Sequence, residues 1–192
     1  MSATFLVTGF EPFGEHRTNS SWDALEHLRP AWPERFLTER LPVDHVRAHQ
    51  LLRELITRHR PHVVLCTGLA KGHVFRIERL ARRPSMLGTA LDPEALDGRW
   101  PWSEMHAALE RAAVDISVSF DAGRYVCEST YWSLLSVEAE RAPTFAAFLH
   151  VPPVSNEIPL ERIARAIASV VSARDAALRG EPESAPASPP TV

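Results

Sequence analysis

The sequence predicts an α/β fold, a three-layer α/β/α sandwich with a twisted, mainly parallel (mixed) sheet. Short apolar runs such as residues 62–67 have the near-uninterrupted hydrophobicity of strands that are covered on both faces. These runs alternate with segments whose apolar residues recur at helical spacing, most clearly between Asp44 and Arg60. A length of 192 residues, 45% of them hydrophobic and 23% charged, suits one globular domain.

Three strands and two helices are predicted in the first part of the chain. Gly9 ends the first strand, Pro42 ends the second, and Pro61 separates the longest helix from the third strand. That helix has an apolar stripe formed by Ala48, Leu51, Leu52, Leu55 and Ile56. In chain order the elements are a strand at 4–8, a helix at 20–30, a strand at 36–41, a helix at 44–60 and a strand at 62–67.

The second part of the chain begins with a predicted loop at 82–101, where no periodicity is visible and glycine and proline recur. A helix at 102–113 and a strand at 116–120 follow. The next helix begins after the turn at 121–123 and runs to about Glu140, and a strand at 145–151 comes after it. The last element is an amphipathic helix whose apolar residues are Ile163, Ala166, Ile167, Val170 and Val171. After Gly180 the composition changes to Glu, Ser, Ala and Pro, which predicts a flexible tail at 181–192.

The overall charge argues against a polyanion-binding protein. Lys and Arg number 21 and Asp and Glu number 24, so the formal net charge is −3 and no basic stripe is left to neutralise phosphates. No apolar run is long enough to span a membrane, and residues 1–10 do not have the pattern of a secretory signal. The two cysteines, Cys66 and Cys127, suggest free thiols in a reducing compartment. We therefore expect a cytoplasmic protein that binds neither nucleic acid nor membrane.

A glycine-containing turn, TGFEPFG at 8–14, directly follows the first predicted strand. It contains neither Gly-x-Gly-x-x-Gly nor Gly-Lys-Ser/Thr, so a phosphate-binding loop is not expected. Phe10 and Phe13, held by Pro12, suit an apolar slot for a flat ring. They also suit a plug at the end of the sheet, and the composition alone favours the plug without excluding the slot.

Cys127 lies near the start of a predicted helix, four residues after Gly123. A thiol at that position faces the positive end of the helix dipole, which is expected to lower its pKa and favour the nucleophilic thiolate. Cys127 also shares helical spacing with Tyr131, Leu134 and Leu135, so a buried core cysteine is the competing interpretation. Cys66 lies within an apolar strand and is expected to be a core residue.

Two further side chains could activate a thiol. His150 comes near the end of the strand predicted at 145–151, and Glu78 lies in the segment RIER at 76–79. The ends of strands in an open α/β sheet are where side chains from separate elements meet. A nucleophile, an imidazole base and a carboxylate that orients the imidazole form a catalytic triad.

The other histidines show no such pattern. Four of them, His45, His49, His59 and His62, lie on or beside the long helix and are expected to face solvent. No pair of His or Cys residues has metal-ligand spacing, so we expect no metal site and no cofactor.

Five motifs occur in a fixed order along the chain: TGFEPFG at 8–14, NSSW at 19–22, ERLA at 78–81, AGRYVC at 122–127 and FLHVP at 148–152. In that order they resemble pyroglutamyl peptidase I (pyrrolidone-carboxylate peptidase), a family of cysteine peptidases. The resemblance covers the chain from about Thr4 to about Ala177. It assigns residues 1–180 to a pyroglutamyl-peptidase-like catalytic domain and leaves 181–192 as the tail.

The resemblance implies a peptidase that removes an N-terminal pyroglutamyl residue through a thioester intermediate. It implies that Cys127 is the nucleophile, His150 the general base and acid, and Glu78 the residue that orients His150. The implied partners are peptides with N-terminal pyroglutamate and further copies of the chain in a dimer or tetramer. The implied substrate-binding residues are Phe10, Phe13, Asn19, Leu69 (through its backbone), Tyr125 and Val126.

Some positions differ from the family pattern. Arg83 replaces an asparagine after the ERLA motif, Glu128 follows the cysteine where asparagine is common, and the segment between Glu78 and Cys127 is short for the family. An alternative hypothesis is therefore a weakened or non-enzymatic relative that binds N-terminally blocked peptides or lactams. The presence of all three triad residues favours an active enzyme, because such residues act as a unit.

Overall fold

The structure, a computed structural model, describes residues 3–15, 17–137 and 142–181. The predicted tail at 181–192 therefore lies outside the described residues, apart from Glu181. The strands are β1 (Phe5–Phe10), β2 (Phe36–Leu41), β3 (Val63–Leu69), β4 (Phe75–Glu78), β5 (Leu80–Arg82), β6 (Ala95–Asp97), β7 (Ile116–Ser119) and β8 (Phe145–Val151). The helices are α1 (Ser20–Leu28), α2 (His45–His59), α3 (Trp102–Arg111), α4 (Val126–Leu135) and α5 (Leu160–Leu178).

Six strands form one twisted sheet in the order β2-β1-β3-β8-β4-β7. All neighbouring pairs are parallel except β4 and β8, which run antiparallel. The strands β5 and β6 form a separate antiparallel pair. The sheet is thus mixed and mostly parallel, as the alternation of strand and helix signals predicts.

Helices cover both faces of this sheet. One apolar cluster lies between the sheet and α1, α3 and α5, and it includes Phe5, Leu65, Leu149 and Ile167. A second cluster lies between the sheet and α2 and α4, and it includes Leu6, Cys66, Phe148 and Leu134. Alternate residues of β1, β3 and β8 belong to different clusters, because successive side chains of a strand point to opposite faces. The predicted three-layer α/β/α sandwich is confirmed.

The two helix starts with the clearest sequence signals have side-chain caps. Asp44 precedes α2 and its carboxylate accepts the N–H of Arg47 at 2.8 Å, and Asn19 precedes α1 and accepts the N–H of Ser21 at 3.1 Å. The left-handed residue Arg60 ends α2. These caps fix where each helix begins and ends.

Three expectations need correction. The region at 82–101, predicted to be loop, contains the strand β6, whose three residues are too few for a periodic signal. The strand β4 is not predicted, because it has only four residues and two of them are charged. The fourth helix ends at Leu135 rather than near Glu140, a position outside the described residues.

Among the residues described, no helix has both the length and the apolar character needed to cross a membrane.

Candidate active site

The alternation of side chains places Glu78 and His150 on the same face of the sheet. In β8, Ala146 and Phe148 belong to the apolar cluster under α2 and α4, so His150, two residues further on, points to that face as well. In β4, Phe75 and Ile77 pack on the opposite face, so Glu78 points toward α4. The antiparallel pairing of β4 with β8 sets Glu78 opposite Phe148, within reach of His150.

Glu78 and His150 form a buried hydrogen-bonded pair. Glu78 Oε1 lies 2.7 Å from His150 Nδ1, and both side chains are almost fully buried. The Arg76 side chain approaches the same carboxylate oxygen, with its Nε at 3.7 Å. Glu78 Oε2 is also buried and makes no hydrogen bond with any part of the chain that the structure describes. The sheet therefore positions a carboxylate to hold the imidazole by its Nδ1 atom.

The Cys127 thiol lies over the neighbouring strand on this same face. Gly68 of β3 is the register partner of His150 in β8, so a side chain at position 68 would stand beside the imidazole. A Cβ atom on Gly68 would be 3.0 Å from Cys127 Sγ. The thiol thus occupies the space that any larger residue at 68 would fill. The fold brings Cys127, His150 and Glu78, which come from α4, β8 and β4, to one place.

The pKa of the Cys127 thiol differs from the sequence-based expectation. Burial of the thiol raises its pKa to about 12, and the negative charge of Glu78 acts in the same direction. The backbone N–H of Cys127 and the Arg76 cation lower the pKa, but by less. The expected lowering at the helix start is therefore wrong in sign, because removal from water outweighs the local favourable dipole. With its pKa raised in this way, we expect the resting thiol to hold its proton at neutral pH.

The start of α4 has unused hydrogen-bond donors. Its N-cap residue is Tyr125, whose side chain makes no capping hydrogen bond. The first N–H groups of a helix have no partner within the helix, so α4 leaves those of Val126 and Cys127 without a helical acceptor. Such donors can hold a developing oxyanion beside the thiol.

The residues predicted to bind the substrate lie in different environments. Phe10 is buried in the same apolar cluster as Val126, against which Cys127 also packs. Phe13 is 40% exposed and Tyr125 is 79% exposed. Of the six predicted residues, Tyr125 lines the cavity of about 510 Å³ in this region and the other five do not.

Asn19 directly precedes α1, and Leu69 is at the end of β3. Asn19 is 1% exposed and uses its side chain within the protein: Oδ1 accepts from the Ser21 N–H and hydroxyl, and Nδ2 donates to the carbonyl oxygen of Glu11 at 3.1 Å. It therefore holds the turn at 8–14 against α1. Leu69 is the last residue of β3 and is half-buried.

A cleft of about 510 Å³ opens beside the start of α4. Residues on both sides of Cys127 in the sequence line it, including Tyr125 and Glu128, and so do Arg82, Arg83 and Arg124. Glu128 is buried, and its carboxylate accepts the backbone N–H of Arg82. Sequence reasoning did not identify this cleft; its only signal was the pair of arginines at 82–83, at the point where the chain departs from the family pattern.

Two histidines expected to face solvent instead contact α4. His45 Nδ1 lies 2.8 Å from the hydroxyl of Ser129, and His49 Nδ1 lies 2.7 Å from that of Ser133. The two histidines are four residues apart on α2, and the two serines are four residues apart on α4. The helices therefore pack with two equivalent hydrogen bonds. These contacts fix the helix that contains Cys127 against its neighbour.

In the described ranges, no group of three or more His, Cys, Asp or Glu residues could hold a metal ion. Both cysteines are free thiols.

Comparison with known proteins identifies relatives of this chain. The family model for pyroglutamyl peptidase matches residues 3–85. The pyrrolidone-carboxylate peptidase of Thermococcus onnurineus is 30% identical, over 91% of this chain and 96% of the relative. Human pyroglutamyl-peptidase 1 is 27% identical, over 86% of this chain and 87% of the relative.

Solved structures agree with these relatives. The crystal structure of the pyrrolidone carboxyl peptidase from Thermus thermophilus superposes with a TM-score of 0.75 at 32% identity, covering 88% of this chain and 98% of that one. The Thermococcus litoralis pyrrolidone carboxyl peptidase has the same fold, with a TM-score of 0.80 at 21% identity over 95% of this chain and 98% of that one. The chain belongs to the pyroglutamyl peptidase family of hydrolases.

Proposed function

We propose that this chain is a cysteine peptidase that removes N-terminal pyroglutamyl residues from peptides. In this proposal Cys127 is the nucleophile, His150 the general base and acid, and Glu78 the residue that orients His150. The observation that supports it most directly is the buried 2.7 Å contact between Glu78 Oε1 and His150 Nδ1, on the face where the Cys127 thiol lies. Family membership supports the choice of substrate.

The protonation of the imidazole follows from its partner. An ionised Glu78 can only accept hydrogen bonds, so Nδ1 of His150 is assigned the proton and Nε2 keeps its lone pair. Nε2 is then the atom that takes the thiol proton. Because the Cys127 pKa is raised, this transfer accompanies attack on the carbonyl and does not precede it.

The reaction then proceeds in two stages. The sulfur of Cys127 bonds to the carbonyl carbon of the pyroglutamyl group, and the oxyanion is held by uncapped N–H groups at the start of α4. Breakage of the C–N bond releases the rest of the peptide as an amine, which takes the proton from His150. A water molecule that gives a proton to His150 then attacks the thioester, which frees pyroglutamate and restores the thiol.

The reaction requires a reduced thiol, because an oxidised Cys127 cannot attack a carbonyl. We therefore also propose a cytoplasmic location, which the two free cysteines support. Residues 1–180 form the catalytic domain in this proposal. A dimer or tetramer is the assembly that we propose for it.

Release of a fluorogenic amine from its pyroglutamyl conjugate tests the proposal. Cys127→Ala should reduce kcat at least about a thousandfold, and Glu78→Gln should cause a loss of similar order because it favours the wrong imidazole tautomer. The matched control is Cys66→Ala, which removes the other thiol, a buried core residue that is not a member of the proposed triad. Turnover that persists in Cys127→Ala would exclude Cys127 as the nucleophile. Absence of turnover in the parent, with retained binding of a pyroglutamyl peptide, would favour the non-enzymatic alternative.

A further inference from the structure

The cleft beside α4 has an excess of positive charge. Arg82, Arg83 and Arg124 line it, against the carboxylates of Asp121 and Glu128. Asp121 is already paired with Arg82, at 3.6 Å, and Glu128 is buried with its carboxylate on a backbone N–H. Burial also raises the pKa of Glu128. The three arginines therefore outnumber the two carboxylates of the cleft, and Asp121 is already taken up by Arg82.

Two of the three arginines are engaged by other parts of the protein. Arg82 donates to the carbonyl oxygen of Phe120 at 2.9 Å, and Arg83 donates to the carbonyl oxygens of Thr89 and Asp92. These two side chains are used to hold loops. Arg124 is exposed and makes no hydrogen bond or ion pair within the ranges that the structure describes. It is therefore the guanidinium that can meet a ligand.

The position of Arg124 relates it to the proposed reaction. It lies three residues before Cys127, next to the largely exposed ring of Tyr125, where the cleft meets the start of α4. A volume of about 510 Å³ is within the usual range for small-ligand sites and leaves room beyond a single lactam ring.

The chemistry of the substrate restricts what such a cation can recognise. A pyroglutamyl residue is uncharged, since its amine is closed into the lactam, and no residue precedes it. Any anionic group of the substrate must therefore lie on the departing peptide. A guanidinium pairs with carboxylates through two parallel hydrogen bonds, so a carboxylate on that peptide is the matching ligand.

We propose that this cleft binds the departing part of the substrate and that Arg124 selects peptides with a carboxylate on the residue after pyroglutamate. The inference rests on the proposed function, because it places the scissile bond at Cys127. It adds a preference among substrates: acidic residues after pyroglutamate are favoured over their neutral isosteres.

Two C-terminally amidated dipeptides, pyroglutamyl-glutamate and pyroglutamyl-glutamine, test this preference because they differ only in the side-chain charge. At low salt kcat/KM should be about five- to tenfold higher for the glutamate peptide, as expected for a partly exposed, charge-assisted pair. The ratio should fall toward one in Arg124→Gln, remain partly in Arg124→Lys, and decrease in the parent as salt increases. Arg165→Gln is the matched control, because Arg165 is exposed on α5, on the opposite side of the sheet.

Calorimetric titration of the same peptides into Cys127→Ala protein measures the preference without turnover. If the glutamate peptide binds more tightly and Arg124→Gln abolishes this difference, the inference is supported. This holds even if the parent cleaves no peptide, because that result would contradict the proposed function and not the preference. Equal kcat/KM and equal binding of the two peptides would overturn it. Inhibition by inorganic phosphate that depends on Arg124, without discrimination between the peptides, would also overturn it and indicate a general anion site.

Discussion

Replacing Gly68 with alanine would insert a methyl group between the thiol and the ring beneath the site. The backbone at Gly68 is not in the left-handed region, so alanine meets no conformational strain there. Its Cβ atom would lie 2.9 Å from Phe148 Cζ and 3.0 Å from Cys127 Sγ, several tenths of an ångström inside ordinary contact. The Phe148 ring cannot turn away freely, because it packs against Tyr131 and His150 at centroid distances of 5.7 and 4.9 Å.

The magnitude follows from this crowding. Overpacking of a well-packed site costs about 1–3 kcal/mol, and loss of glycine freedom in the unfolded chain offsets roughly 0.4–1 kcal/mol. We expect a net loss of about 1–2 kcal/mol, or roughly 2–8 °C in Tm for a chain of this size. We also expect kcat/KM to fall about tenfold or more, because the thiol must move relative to His150.

Thermal unfolding by circular dichroism and turnover of the fluorogenic conjugate measure the two effects. In the Phe148→Leu background, which removes the nearest ring atoms, Gly68→Ala should lose about 1 kcal/mol less stability than in the parent. In the Cys127→Ala background the contact between the new Cβ atom and the sulfur is absent, so the part of the stability loss that this contact causes should also disappear. A Gly68→Ala protein with parental Tm and parental kcat/KM would refute the argument from close packing.

Three further predictions follow from the thiols and from the cap of α1. Burial raises the pKa of Cys66 to about 12, so the native state keeps a proton that the unfolded chain loses above about pH 8.5. The free energy of unfolding should therefore fall with rising pH by about 1.4 kcal/mol per pH unit for this thiol, and urea titrations of Cys66→Ala should show a correspondingly smaller slope; an equal slope would contradict it. In Cys66→Ala protein, the rate of Cys127 alkylation by iodoacetamide should rise about tenfold per unit from pH 7 to 9, whereas a plateau would indicate a preformed thiolate. Asn19→Ala should lower the free energy of unfolding by about 1–3 kcal/mol and Asn19→Asp by less, since aspartate keeps the capping oxygen; equal losses measured by urea unfolding would contradict the capping role.

The strands with the clearest sequence signal are those buried on both faces; β2 and β7, which are also predicted, are only partly buried. The strands β1, β3 and β8 have few polar residues, so their hydrophobicity alone reveals them. The strand β4 has charged side chains on one face because they form the site, and its four residues give no clear period. The pattern therefore fails at β4 for the same reason that β4 matters chemically.

The motifs indicate which residues belong to the site, but not how they are placed. The position of the Cys127 thiol over Gly68 depends on the register between β3 and β8, which no local pattern specifies. The predicted direction of the Cys127 pKa shift is wrong, because a helix start is a local feature whereas removal of the thiol from water depends on all the residues packed around it. The contacts of His45 and His49 likewise depend on how two helices pack.

The strand β8 has a further consequence for the order in which the molecule can be completed. It joins two parts of the sheet, β2-β1-β3 and β4-β7, all of which precede it in the chain. During synthesis these parts emerge first, each with an exposed edge at β3 or β4 that can pair with other chains. Insertion of β8 closes both edges and brings in His150 at the same time. A nascent chain therefore loses the open edges at β3 and β4 in the same step that delivers the imidazole. A chain truncated before Phe145 keeps both edges open and lacks His150.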